Sequence, residues 1–516
     1  MATKDRYKIF TLAALVFCAS LAFRLAYLDS RAIWFDEASS WVTANLDYFE
    51  LQASLEQSTH VPLYYPVLHC WMVMFGESPI AIRSLSVTLG MLTVAGVGYL
   101  GLLTISAGAE PQNSKAVTRW YFALLAAALC GTSAFQVHAS VEARMYTAGT
   151  FLCVLSTASV LHLLQDTSRR RCWVALFWTT VASLYTHHLL AVTAMVQAAW
   201  LAWNIYQQNA GLDYSAKTRL AWRYWRRSVG AAIVCWIPAL ILWWKQFHAI
   251  QQGFWIPPLD GWSIPRTFME FVASPPPGLS WNFREWGITP AMLCVVMFVG
   301  LWRTKNAAVR LLVLQSVVPL LLIGIVSLKT PLWEARYFRF AHVTMILCVA
   351  ISIWQLFGSG VARRAVVISG LALSCCGTVL FWHWRDIPHR QANRGAAMAI
   401  DADHQHANSR VVVTSPIDFV VMKYYAKHWG WPEDRVKLWT GPERIPGASV
   451  HLIKNYDWWN PTATNLNEPV WLVEPLQPET RSTPSTRRTS TASFHSDLWL
   501  NAWSVRLNLV PAKELR

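Results

Sequence analysis

Charge is scarce in this 516-residue sequence: 14% of its residues are Asp, Glu, Lys or Arg, against 54% hydrophobic, and the mean hydropathy is +0.28. A water-soluble chain carries about a quarter charged residues. A wholly soluble protein is therefore excluded, and a polytopic membrane protein is expected. Other absences narrow the chemistry. There is no GxGxxG or GxxxxGKS run, which argues against nicotinamide chemistry and against ATP hydrolysis on a glycine-rich loop. There is no CxxC pair, and all ten cysteines precede residue 384, in or beside apolar runs. Neither a disulfide framework nor a paired-thiolate metal site follows from that usage. No internal repeat is visible.

What is present is an apolar chain rich in tryptophan. Thirty tryptophans occur, many at the ends of apolar runs, where an amphipathic ring suits the headgroup level. The net charge of +15 is spread over short loops rather than one stripe, so it orients helices and does not bind nucleic acid. Eleven apolar runs lie near residues 8–28, 83–105, 119–137, 146–165, 173–188, 190–206, 229–246, 288–302, 309–328, 340–357 and 365–383. Each approaches the roughly 20 residues that cross a bilayer. The run "PLYYPVLHCWMVMFG" at 62–76 is shorter, opens on Pro62 and contains Pro66, and reads as a helix lying at the interface.

Loop charge sets the topology, because cytoplasmic loops collect Lys and Arg. With the N-terminus cytoplasmic, that side holds Lys115, Arg119, "RRR" at 169–171, "KTRLAWRYWRR" at 217–227, "RTKNAAVR" at 303–310, Arg363 and Arg364. The other side holds "WFDEASSW", "SVEARMY", "YTHH", a long loop at about 247–287, "KTPLWEARYFRF" and everything after 384. A multi-pass protein of the inner (plasma) membrane is expected. The first run is expected to remain as an anchor, since no small-residue cleavage site follows it. The expected fold is an all-α polytopic membrane domain over 1–383, with about 11 transmembrane helices and a non-cytoplasmic loop at 29–82 that carries interfacial helices. It is followed by a small C-terminal α/β domain over 384–516, periplasmic or extracellular. There "SRVVVTS", "RVKLW", "ASVHLI" and "EPVWLVE" read as strands, and "DFVVMKYYAKHW" as an amphipathic helix. The Ser/Thr/Pro/Arg-rich stretch 476–494 reads as an exposed, mobile loop.

Candidate site residues gather on the non-cytoplasmic side. Asp36 and Glu37 follow the first span, where two acids also suit the first turn of a helix. Glu142, Arg144 and Tyr146 lie in "SVEARMY", His187 and His188 in "YTHH", and Glu334, Arg336 and Tyr337 in "WEARYF". Singly each is accounted for by an interfacial ion pair or a snorkelling side chain. Together they describe a polar cavity open to one face, costly in a membrane without a use.

The same residues carry a resemblance. "WFDEASSW", "THVPLYYPVLHCWMVMFGESPIAIRSLS", "EARMYT" and "EARYF" resemble the GT-C glycosyltransferases, especially the bacterial relatives of the protein mannosyltransferases (family 39) and of the lipid A aminoarabinose transferases (family 83). The resemblance covers roughly residues 1–345. Relatives commonly show His-Pro-Pro where this chain has His60, Val61 and Pro62. It implies a cell-envelope hexosyl or pentosyl transferase with a polyprenyl-phosphate-linked sugar as donor, inverting transfer on the non-cytoplasmic side, and an acceptor that is a glycan, a lipid or a protein.

Chemistry agrees with that implication. A lipid-phosphate sugar needs a carboxylate to take the acceptor's proton and cations to hold the departing phosphate. Asp36 fits the base, with Glu37 beside it to orient the site. Arg144 and Arg336 fit the phosphate clamp, since a guanidinium meets phosphate with a planar fork. His187, His188 and His60 lie with them in the donor site. Glu142 and Glu334 would orient the arginines, and Tyr146 and Tyr337 would contact sugar or phosphate oxygens. Which arginine holds the phosphate stays open. No cofactor is expected to be required; a divalent metal is possible, although no dense Asp/Glu/His spacing calls for one. The alternative is a secondary transporter or lipid flippase, disfavoured by the missing repeat. A receptor or assembly factor would not need acidic and basic motifs in four loops.

Overall fold

The computed structural model describes residues 3–26, 28–29, 31–105, 116–207, 216–251, 256–275, 284–356, 361–385, 392–439, 458–459, 469–475, 492–494 and 505–511. Its helices are α1 (Thr3–Leu25), α2 (Phe35–Ala44), α3 (Tyr48–Glu56), α4 (Tyr64–Phe75), α5 (Pro79–Thr104), α6 (Ala116–Thr132), α7 (Ala134–Ser140), α8 (Tyr146–Gln165) and α9 (Arg170–Leu184). They continue with α10 (Leu190–Gln207), α11 (Ala216–Gln251), α12 (Ser263–Ala273), α13 (Ile288–Trp302), α14 (Ala307–Ser327), α15 (Arg339–Leu356), α16 (Val361–Arg385), α17 (Ala392–Ala402) and α18 (Pro416–His428). The chain divides into two compact units. One comprises 1–26, 59–64 and 84–381; the other comprises 27–58, 65–83 and 382–516.

The first unit is helical. Helix covers most of each of the eleven expected runs, the run at 119–137 being divided between α6 and α7. Among the described residues seven helices are long and apolar enough to cross a membrane, or eight if α6 and α7 count as one bent span. The expected single helix at 119–137 is broken: α6 and α7 meet at 64°. Ser133 sits at the break, and its hydroxyl caps α7 by accepting from the Gln136 N–H. A second departure is α11, which begins at Ala216 and so takes in the basic segment 217–227 that read as loop. Charge ends an apolar run without ending backbone hydrogen bonding, and Lys and Arg are good helix formers. A third is α12, which occupies part of the long loop at 247–287.

Packing in this unit is asymmetric. Val97, Leu100, Phe122, Phe135, Leu161, Val309, Leu312 and Phe338 form a continuous apolar core. The outer faces of α11 and α13 meanwhile expose Val234, Ile241, Met292 and Val296, the last at 71%. Apolar surface on that scale demands an apolar solvent. The chain is a multi-pass membrane protein.

The second unit joins α2, α3 and most of α4 to the C-terminal segment. α4 has 12 residues. At 1.5 Å per residue that is roughly 18 Å, well short of a bilayer core. The sheet strands are β1 (Arg410–Val413), β2 (Val436–Trp439), β3 (Trp458–Trp459), β4 (Pro469–Pro475), β5 (Ala492–Phe494) and β6 (Val505–Pro511). Their order is β3-β2-β1-β4-β6-β5, with β1 parallel to β2 and β4, and β6 antiparallel to β4 and β5. Val412, Val470, Leu472 and Val510 form its small core. The expected α/β character is observed. Within the stretch read as a mobile loop, 492–494 is instead strand β5, because β6 supplies a partner edge; 476–491, and the "ASVHLI" strand, lie outside the described residues.

α18 is the crossover between β1 and β2, and its ends are specified locally. Ser415 accepts from Asp418 N, Pro416 opens the helix, and Lys427 and His428 close it. Gly430 then adopts φ +70. The N–H of Trp431 reaches Ala426 O and that of Gly430 reaches Lys427 O, a Schellman stop that places glycine where a side chain would be strained.

Candidate functional site

In the second unit, Asp36 and Glu37 occupy the first turn of α2 and diverge in environment. Glu37 is fully buried and forms a fork with Arg83: Nε donates to Oε1 at 2.8 Å and Nη2 to Oε2 at 2.7 Å. The remaining Arg83 donors go to the carbonyls of Leu28, Arg31 and Ala32. A guanidinium has five N–H groups, and each has an acceptor here. That ties the segment before α2 to the start of α5. Asp36 is half-buried, and its main-chain carbonyl accepts from Ser40 Oγ.

The other anchor of α2 is α18. The Tyr425 hydroxyl accepts from the Ile33 N–H at 2.9 Å. The Tyr424 hydroxyl donates to Glu77 O at 3.0 Å, and its ring meets Trp41 edge-on at 5.3 Å. Trp41 Nε1 donates to Glu77 Oε2 at 2.7 Å, and Lys427 pairs with the same carboxylate at 3.2 Å. Burial pushes the Tyr425 hydroxyl up to about 12, so it stays protonated.

In the first unit the remaining candidates gather where helices end. Glu142 and Arg144 lie on the turn between α7 and α8, and Tyr146 opens α8. Arg144 is 4% exposed and its Nη2 is 3.0 Å from His60 Nε2. The rings of Tyr146, His187 and Tyr337 form a triangle with centroids 5.9, 6.4 and 5.4 Å apart. Both Arg144 and Arg336 act electrostatically on His187. His187 Nδ1 accepts from Leu189 N, which leaves Nε2 to carry the proton and donate. His188 pairs with Gln246 Oε1 at 2.8 Å, and Gln246 Nε2 donates to His60 O, so one amide ties two turns together. Glu334 approaches Arg336 at 3.7 Å, an orienting distance.

Several partners were not anticipated. Glu142 was expected to orient arginines of its own motifs; its carboxylate engages His138 Nε2 at 2.6 Å and Arg339 Nη1 at 3.6 Å. Arg339 is buried and lies 4.8 Å from the Tyr146 ring centroid. Arg339, His138 and Gln246 were not singled out, and Arg83, quoted within "FGESPIAIRSLS", was given no role. Arg83 and Arg339 had a signal, lone arginines at the start of otherwise apolar helices; His138 and Gln246 had none. Among the described residues no three His, Cys, Asp or Glu side chains converge as metal ligands would.

The protein is thus of the class of multi-pass helical membrane proteins that also carry a small α/β unit, here with a six-stranded sheet. The fold is that of ArnT from Cupriavidus metallidurans in the apo state, at TM-score 0.54 and 13% identity over 90% of this chain and 92% of that one. The structure of ArnT from the same organism bound to undecaprenyl phosphate gives TM-score 0.53 and 11% identity, over 96% and 97% of the two chains. At these identities the likeness is one of fold. No protein-family model matches the chain, and no curated protein matches it.

Proposed function

We propose that the protein is an inverting membrane glycosyltransferase that moves a sugar from a polyprenyl phosphate to an acceptor hydroxyl on the non-cytoplasmic side. The observation that carries this reading is the buried cationic cluster at the helix ends of the first unit, in a fold shared with a protein crystallised with undecaprenyl phosphate. A lipid phosphate is the anion that a cluster of cations at the ends of membrane helices would meet. Arg144, with Arg336, holds the departing phosphate; His187 and Tyr337 donate to its oxygens. Asp36, at a helix start and half-buried, takes the acceptor's proton, and Glu37, forked to Arg83, fixes the turn of α2 that carries it. As the acceptor oxygen bonds to the anomeric carbon, the bond from that carbon to the phosphate oxygen breaks, and the phosphate leaves with the electron pair.

The test is transfer from a radiolabelled polyprenyl-phosphate sugar by the purified protein in lipid nanodiscs. Failure to bind polyprenyl phosphate at all would refute the reading. Orientation is tested by reporter fusions: one after Met398 is expected to score as periplasmic or extracellular and one near Gln208 as cytoplasmic. Both on one side would remove the eleven-span layout.

A further inference from the structure

The second unit contains a cleft of about 580 Å³ that none of the chemistry above uses. We infer that it is a subsite for a sugar residue of the acceptor, an inference that rests on the transferase reading. Its volume lies within the roughly 300 to 1,000 Å³ of small-molecule sites. Asp29, Arg31, Arg394, Asp401, Tyr425 and Trp429 are among its walls. The lining carries two carboxylates and two guanidiniums, so its formal charges balance. A phosphate would meet both acids, and an acyl chain would strip water from four ions. A polyhydroxyl ligand satisfies donors and acceptors of both kinds and lays its C–H face on an aromatic ring.

The walls are built in advance. Trp429 stacks on Tyr425 at 5.1 Å with 21° between planes, Asp401 accepts from Trp431 Nε1 at 2.8 Å, and Arg394 donates to Asp29 O at 3.3 Å. One wall is shared with the start of α2. Tyr425 lines the cleft and holds the Ile33 N–H, and Arg83 holds the carbonyl of Arg31. A ligand seated here therefore presses on the side chains that fix the segment leading to Asp36.

The experiment is saturation-transfer NMR on the full-length protein in nanodiscs, with methyl glucoside, methyl mannoside and methyl N-acetylglucosaminide as probes. At least one is expected to bind. Met398→Trp, at a side chain 54% exposed on the cleft wall, fills the space without removing a buried contact and should weaken that binding at least tenfold. Asp401→Asn, which keeps an acceptor for Trp431, should weaken it severalfold. No signal from any probe in the unsubstituted protein, or full signal in Met398→Trp, overturns the inference. Polyprenyl-phosphate binding, read on the same samples, should be unchanged in both variants. If it is present and sugar binding is absent, the cleft inference alone fails; if it is absent from the unsubstituted protein, the transferase reading fails instead.

Discussion

Glu37 and Glu142 are both buried carboxylates, 0% and 2% exposed, and the two regions around them are built on opposite plans. Glu37 gives one oxygen to each arm of a single arginine whose other donors are also spent. Glu142 is divided between a histidine at 2.6 Å and an arginine at 3.6 Å, and that histidine's other nitrogen lies 2.7 Å from Ser274 Oγ. A closed fork recovers its desolvation cost only while every member is present. It locks a position and does little else. Glu142 instead joins side chains of two helices, His138 of α7 and Arg339 of α15. The first arrangement holds chain in place, and the second ties helix to helix.

The contrast breaks first at Glu37. Glu37→Gln strands a buried guanidinium, so a loss of about 3 to 5 kcal/mol is expected in thermal or denaturant unfolding. Adding Arg83→Met should return part of it. A Glu37→Gln protein as stable as its parent would abolish the distinction. Next is Asp36→Asn, which keeps an acceptor and loses the base. Single-turnover transfer should fall at least about a hundredfold while donor affinity changes far less. Near-normal turnover would reduce Asp36 to a favourable charge at a helix start. Arg144→Lys tests the binding region. An ammonium cannot reproduce a planar fork, so donor affinity should weaken about tenfold, or 1.4 kcal/mol. Donor binding equal to the parent's would place the phosphate elsewhere.

The smallest effect lies at Asp418. Burial raises its carboxyl above the ordinary range, against hydrogen bonds from Asn393 and Ser415 that lower it. With the folded value above the unfolded one, the folded state binds the proton more tightly. Stability is therefore fullest below the ordinary carboxylate range and declines as pH rises through the raised value. Unfolding followed between pH 4 and 7 should show that decline, and Asp418→Asn should flatten it while leaving transfer intact. Loss of transfer in a correctly inserted Asp418→Asn protein would move the base into the C-terminal segment.

Much of this was legible in the sequence, and the limit is a matter of range. Long apolar helices such as α5, α8 and α14 could be read because a bilayer imposes a local requirement, some 20 apolar residues in a row, that no distant partner can waive. α18 was legible for a similar reason: Ser415, Pro416, His428 and Gly430 act on groups within a few residues. The site motifs stood out as polar islands beside apolar runs. Tertiary structure alone decided what those islands bind. Glu37 and Arg83 are 46 residues apart, Tyr425 and Ile33 are 392 apart, and no period or cap signals such pairings. A buried ion takes whichever opposite charge packing brings within reach, and packing is a property of the whole chain. For the same reason the break at Ser133 was invisible: a serine is tolerated inside a membrane helix, and only the neighbours that replace its lost backbone bonds allow the turn.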